Sequence, residues 1–303
     1  MVNSNKKNSN KKNSSRNNSA KNNTAKNNSN NNKVCIIMSD NRDITNNYKD
    51  AEYHSLVAAI NYNYAKKHNY DFIYYVPSVP SYHKINNVNH AKNMKHKINS
   101  YNSLLKQYRS ASWTKLITLF DALSKKYKHI VYIDSDSVLV NPDVSLDKYL
   151  NNAVYTRGNK NSELQFLIDK PHSDGPCAGA IIVNNNLNAK KALKYWWNYN
   201  IPEFNKVHSF EQEALRSMIV HNKDPLMEPY CAIIDDLSFQ PKDDQFIRHV
   251  CHLEADKRMD IFRCWYEKLY GSNTFTDTIN TIINNNTKSV DIIKLENNIQ
   301  EYN

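Results

Sequence analysis

Two aspartates one residue apart, Asp134 and Asp136, close the apolar run His129-Ile130-Val131-Tyr132-Ile133. A carboxylate at the end of a buried strand is costly unless a positive charge meets it there. A divalent cation is the candidate. Ser135 between them is small, and alternate residues of an extended chain point to the same side, so both carboxylates can reach one ion. The competing reading is a pair of acids capping a turn; the apolar runs on both sides, with Val138-Leu139-Val140 following before Asn141-Pro142-Asp143, favour the ion.

These carboxylates need a scaffold. The run before them is β-branched and aromatic on both faces, which predicts a central strand. Upstream, Val34-Cys35-Ile36-Ile37-Met38 reads as a first strand, about Asp50 to His68 as a helix, and Asp71–Val76 as a second strand. Strand, helix, strand opens a nucleotide-binding α/β unit, whose ligand loop follows the first strand. That places Ser39, Asp40 and Arg42 as candidate nucleotide contacts. Residues 77–110 read as a polar insertion. A helix from Ser112 to about Tyr127 then carries Trp113 and Lys115, also candidates for the nucleotide, although packing and solvation are their ordinary roles. Further along, the spacing predicts a helical turn at 145–150, strands at 153–156, 230–234 and 246–253, a tight turn feeding a strand across 174–185, and helices at 189–199 and 210–219, the last with Ser209 as N-cap. Trp196 and Trp197 are expected in the core.

Composition narrows the function. The formal charge is +10. Lys6, Lys7, Lys11, Lys12, Arg16, Lys21 and Lys26 supply seven of those charges within residues 1–32. The body is therefore only mildly basic, and a nucleic-acid groove is not indicated there. Residues 1–32 are Asn, Lys and Ser with no aromatic residue, the composition of a disordered tail. Five widely spaced cysteines with no Cys-x-x-Cys pair argue against a disulfide framework or structural zinc. No apolar run reaches membrane-span length, and the N-terminus lacks a signal-peptide core. A soluble protein of the cytoplasm is expected, without a transmembrane anchor. The heavy use of Asn, Lys, Ile and Tyr reflects AT-rich codons, as in a low-GC protist or a large DNA virus infecting one; a host cytoplasm or viral factory fits.

The ordered set of segments resembles a GT-A glycosyltransferase, most of all the galactosyl/xylosyltransferase family of fungal α-mannan enzymes and plant xyloglucan xylosyltransferases. Trp113-Thr114-Lys115, the helix after it and Val131–Pro142 carry the likeness. So do Cys177-Ala178-Gly179-Ala180-Ile181-Ile182-Val183-Asn184, similar to an Asn-Ala-Gly strand, and Glu211-Gln212-Glu213, similar to an Asp-Gln helix. Cys177 replaces the family's Asn, Glu211 replaces its Asp, and its His-Phe-Ala-Gly stands as His252-Leu253-Glu254-Ala255. The resemblance implies an α/β fold, a single GT-A (Rossmann-like) nucleotide-sugar transferase domain with a mixed central sheet over 33–270, followed by a polar extension, 271–303. It implies Mn²⁺ or Mg²⁺, a nucleotide-sugar donor such as a UDP-hexose or UDP-pentose, a glycan or protein acceptor, and retention at the anomeric carbon. Asp136 is the first choice for direct metal ligation and Asp134 for a ribose or outer role, the reverse assignment staying open. His252 would be the further metal ligand, with His249 the alternative. Arg248, Lys257 and Arg258 could hold the diphosphate. Glu211 or Asp174 could stabilise the oxocarbenium face.

Two other readings compete. Ile133-Asp134-Ser135-Asp136-Ser137-Val138 also fits the haloacid-dehalogenase phosphatase motif, with Asp235-Asp236 as its metal pair, but that family's nucleophile strand opens its fold. An inactive binding module on the same scaffold is the non-enzyme alternative, and Cys177 is its main support.

Overall fold

The computed structural model describes residues 33–78, 98–169, 174–200, 210–237, 246–251 and 253–302. The tail 1–32, most of the expected insertion, Ser209 and His252 lie outside them. The chain runs β1 (Val34–Ser39), α1 (Tyr53–Lys67) and β2 (Asp71–Ser78), then the hairpin β3 (Ile98–Asn102) and β4 (Gln107–Ser110). Next come α2 (Thr114–Ala122), β5 (His129–Ile133), β6 (Ser137–Leu139), α3 (Leu146–Asn152), β7 (Tyr155–Arg157) and β8 (Leu164–Ile168). β9 (Pro176–Asn184), α4 (Leu187–Trp197), α5 (Phe210–Arg216), β10 (Cys231–Leu237) and β11 (Ile247–His249) follow. The last described elements are α6 (Ala255–Tyr270), α7 (Phe275–Thr281), β12 (Thr287–Asp291) and α8 (Ile292–Glu301).

Among the described residues eight strands form one mixed sheet in the order β12-β2-β1-β5-β9-β8-β10-β7. β12, β2, β1 and β5 are mutually parallel, and β9 then runs antiparallel to both β5 and β8. Alternation along the central strands separates two cores. Cys35 and Ile37 of β1, with Ile130 and Tyr132 of β5, face α2, α4, α5 and α8. Val34, Ile36 and Met38, with Val131 and Ile133, face α1, α3, α6 and α7. Burial on both faces is why these strands read as unbroken apolar runs.

The departures from the sequence reading have local causes. α2 stops at Ala122 rather than Tyr127, because the Ser124 hydroxyl donates to the Asp121 carbonyl (2.6 Å) and the Ser124 and Lys125 N–H groups reach back only three residues. The expected strand 246–253 shrinks to Ile247–His249, the length that β6 offers as an antiparallel partner. α6 was not expected, since it buries only Phe262 and Tyr266 among many charges. The segment 271–303 is no appendage. β12 pairs with the edge of β2, and Ile292, Leu295 and Ile299 of α8 enter the core. No helix of the described residues is long and apolar enough to cross a membrane.

Candidate active site

β5 delivers Asp134 where its pairing with β9 ends: the Asp134 N–H donates to the Gly179 carbonyl at 2.8 Å. The chain then turns, with the Ser137 N–H on the Asp134 carbonyl at 3.0 Å, and leaves the main sheet as β6. The two aspartates thus sit on a turn rather than a straight strand. Buried Asn61 of α1 fixes the exit, its amide donating to the Ser137 carbonyl and accepting from the Leu139 N–H, both at 3.0 Å. β11 pairs with β6 so that His249 stands opposite Ser137, and the Val250 N–H meets the Asp136 carbonyl at 2.9 Å. That register sets His249 Nε2 3.0 Å from Asp136 Oδ1.

Asp134, Asp136 and His249 offer ligand atoms within 4.8 Å of one another. Two carboxylate oxygens and one imidazole nitrogen fit Mn²⁺ well and Mg²⁺ through the oxygens. His252, the first choice from sequence, lies outside the described residues; His249, the alternative, stands at the carboxylates. The imidazole occupies space that a side chain would fill: a Cβ on Gly179 would lie 2.5 Å from His249 Cε1 and 2.6 Å from Nδ1. Gly179 belongs to a bulge in β9. Phe166 pairs with Ile181 but Leu167 with Cys177, leaving Ala178–Ala180 unpaired on that side. Gln212 of α5 holds the bulge by accepting the Ala178 N–H at 2.7 Å.

Behind the carboxylates sits a buried cation. Lys115 Nζ lies 3.0 Å from Asp134 Oδ2, 2.8 Å from Glu211 Oε1 and 3.0 Å from the Ala178 carbonyl. Burial works against its charge, but Asp134 and Glu211 hold the ammonium above its usual pKa. Burial also raises the pKa of Asp134, partly opposed by Lys115. For Asp136, burial is overcome by His249 and then Arg258, 3.1 Å away, which hold the carboxyl down to about 2. Asp136 in turn keeps the His249 imidazole charged well above its ordinary range despite burial.

A cleft of about 450 Å³ opens in front, lined by Ser39, Asp40, Arg42, Tyr53, Asp134 and Asp136 among others. The nucleotide-loop residues expected from sequence therefore share one cavity with the paired aspartates, at the C-terminal ends of β1 and β5. Arg42 makes a two-point contact with Asp40, donates to Tyr53 Oη (2.8 Å) and to Ser135 Oγ (3.0 Å), and lies over the Tyr53 ring. Burial opposes the Asp40 charge, yet Arg42 lowers its pKa. Arg258 lies over the same ring at 5.4 Å and donates to the Cys251 and Leu253 carbonyls.

Other candidates fall elsewhere. Trp113 is fully buried against Trp197 and Arg109, a core position. Lys115 faces the interior and Glu211 is its partner. Asp174 is exposed on the turn before β9, and Lys257 is exposed on the first turn of α6, where the neighbouring Arg258 reaches Asp136. Arg248 lies over Trp265 at 4.6 Å. Tyr53 and Gln212 were not singled out as site residues; in a chain with 20 tyrosines nothing local marks Tyr53.

No protein-family model matches the chain, and no curated protein matches it. Among solved structures, a glycosyltransferase involved in the glycosylation of the major capsid of PBCV-1 aligns with 77% of this chain and 99% of its own, at 14% identity and a TM-score of 0.52. The glycosyltransferase GlyE of Streptococcus pneumoniae TIGR4 covers 83% of this chain and 63% of its own, at 13% identity and TM-score 0.44. A Drosophila β1,4-galactosyltransferase 7 mutant in complex with manganese, UDP-Gal and xylobiose covers 72% and 71%, at 11% and 0.37. The first likeness shows a shared fold, in which the mixed sheet described above takes part; the other two are too distant to carry an argument.

Proposed function

We propose that this chain is a divalent-metal-dependent glycosyltransferase that moves a hexose or pentose from a nucleotide-sugar donor, a UDP-sugar, to a glycan or protein acceptor with retention. The observation that carries the reading is the convergence of Asp134, Asp136 and His249 within 4.8 Å at the mouth of the cleft that Asp40 and Arg42 line. These three residues would hold Mn²⁺ or Mg²⁺, which when bound supplies positive charge to a departing diphosphate. Arg42 and Arg258, whose guanidinium groups lie 4.8 Å and 5.4 Å from the centre of the Tyr53 ring, are suited to phosphate oxygens. Lys115 offsets the charge of Asp134 and Glu211 and so keeps both carboxylates in place. Glu211, whose Oε2 is buried without a hydrogen-bond partner, is the carboxylate we assign to the sugar face. Asp174 is the second candidate.

The phosphatase reading needs Asp235 and Asp236 beside Asp134. They lie on β10, separated from β5 by both β9 and β8, where Asp236 accepts from Tyr149 Oη at 2.9 Å. The test is a nucleotide-sugar panel assayed for nucleoside diphosphate release with Mn²⁺ and with EDTA. Release that needs Mn²⁺ and vanishes in Asp136→Ala is expected. Metal-independent release, or p-nitrophenyl phosphate hydrolysis dependent on Asp134, would overturn the proposal.

A further inference from the structure

An imidazole that ligates through Nε2 must keep its remaining proton on Nδ1, and the group that accepts this proton sets the ring's orientation. In this chain a sulfur lies at Nδ1, and a second thiol, Cys251, also interacts with the ring. Cys177 Sγ lies 3.3 Å from His249 Nδ1, while Nε2 on the opposite side of the ring faces Asp136 at 3.0 Å. Cys177 is itself 1% exposed and held in register against Leu167. It sits at the start of the β9 bulge, two residues before the glycine whose missing Cβ makes room for the ring. One short stretch, Cys177-Ala178-Gly179, therefore provides both the slot and the pin.

We propose that Cys177 is a positioning residue for the divalent-cation site: its sulfur accepts the Nδ1–H of His249 and aims Nε2 at the ion held with Asp134 and Asp136. This rests on the metal-dependent reading above. A thiol orients the ring without adding a third carboxylate to a site that already holds two. The Cys177 position, where the sequence departs from the Asn of the resembling family, thus serves the metal site rather than marking its loss.

The test is Mn²⁺ alone, titrated into the full chain and followed by electron paramagnetic resonance, for wild type, Cys177→Ala and Cys177→Ser. Loss of a partner that orients a ligand weakens metal binding by about 10- to 100-fold. Cys177→Ala is expected in that range, while Cys177→Ser, whose hydroxyl can still accept from Nδ1, recovers most of the affinity. With diamagnetic Zn²⁺, ring ¹⁵N spectra of wild type should show His249 bound through Nε2 and protonated at Nδ1, and in Cys177→Ala that Nδ1–H, having lost its acceptor, should exchange with water faster. Unchanged Mn²⁺ affinity in Cys177→Ala, or a serine variant as weak as the alanine one, overturns the positioning role while leaving the metal site standing. A wild-type chain that binds no Mn²⁺ overturns the metal reading, and this role with it.

Discussion

Lys115→Met tests the electrostatic centre of the fold. The methionine fills nearly the same space but removes the ammonium shared by Asp134 and Glu211. Side-chain exposure is 3% for Lys115, 5% for Glu211 and 25% for Asp134, so the Glu211 contact is fully dry and the Asp134 contact partly wet. Removing one member of a buried ion pair costs about 3–5 kcal/mol, because the survivor stays buried and uncompensated. We expect about 4 kcal/mol here, on the order of 10 °C in Tm for a domain of this size. The loss should depend on pH. Without Lys115 the Asp134 carboxyl, already raised by burial, takes up a proton still more readily in the folded state than in the unfolded chain. Folding then binds a proton, and the variant's stability falls as pH rises from the unfolded carboxylate range, about 4, through the raised folded value of Asp134, by up to about 1.4 kcal/mol per unit. Guanidinium denaturation at pH 5 and pH 8 should therefore show a smaller deficit at pH 5. Lys115→Met/Glu211→Gln should recover a large part of it, the coupling read from a double-mutant cycle. A deficit below about 1 kcal/mol, or one equal at both pH values, would refute the view that Lys115 neutralises this pair.

Three further outcomes follow from the geometry. Gly179→Ala drives a methyl into the His249 ring and should cost about 1–3 kcal/mol in denaturant titrations; Mn²⁺ affinity should fall as well, measured by calorimetry. Asn61→Ala leaves the Ser137 carbonyl and the Leu139 N–H buried and unmatched, so a loss of about 2–4 kcal/mol is expected from two such groups, with an intact-stability result excluding Asn61 as the tie between α1 and β6. The carboxyl of Asp136 is depressed when folded, so its contribution is complete above the unfolded value near 4 and is lost as pH falls towards about 2. The stability gap between wild type and Asp136→Asn should accordingly close across that acid window in thermal scans.

The sequence showed the central strands because they are buried on both faces, leaving runs such as Val34–Met38 and His129–Ile133 with no polar interruption. Asp134 and Asp136 were legible for the same reason, as charges set against an apolar background. The Asp40–Arg42 loop was legible from its place after β1. What could not be read depends on contacts far apart in the chain. Lys115 is a solvated lysine by default, and only the approach of β5, β9 and α5 turns it inward. His249 gains its role from a three-residue pairing with β6, too short to leave a periodic signal. Arg258 and Tyr53 meet only because α1 and α6 lie side by side on one face. α7, β12 and α8 were hidden by their Asn-rich composition, although Ile292, Leu295 and Ile299 keep helical spacing.

The strand β12 has a bearing on how the molecule is made. It covers the edge of β2, and Ser78 Oγ bonds to the Val290 carbonyl, 212 positions further on. At about 5–20 residues per second of synthesis, β2 waits roughly 10–40 s for its outer neighbour. During that interval its edge offers unpaired backbone groups to any passing strand. The nascent chain thus stays open to mispairing at β2 while the active-site strands β5, β9 and β11 are being made, and a chaperone bound at β2 would act in that window.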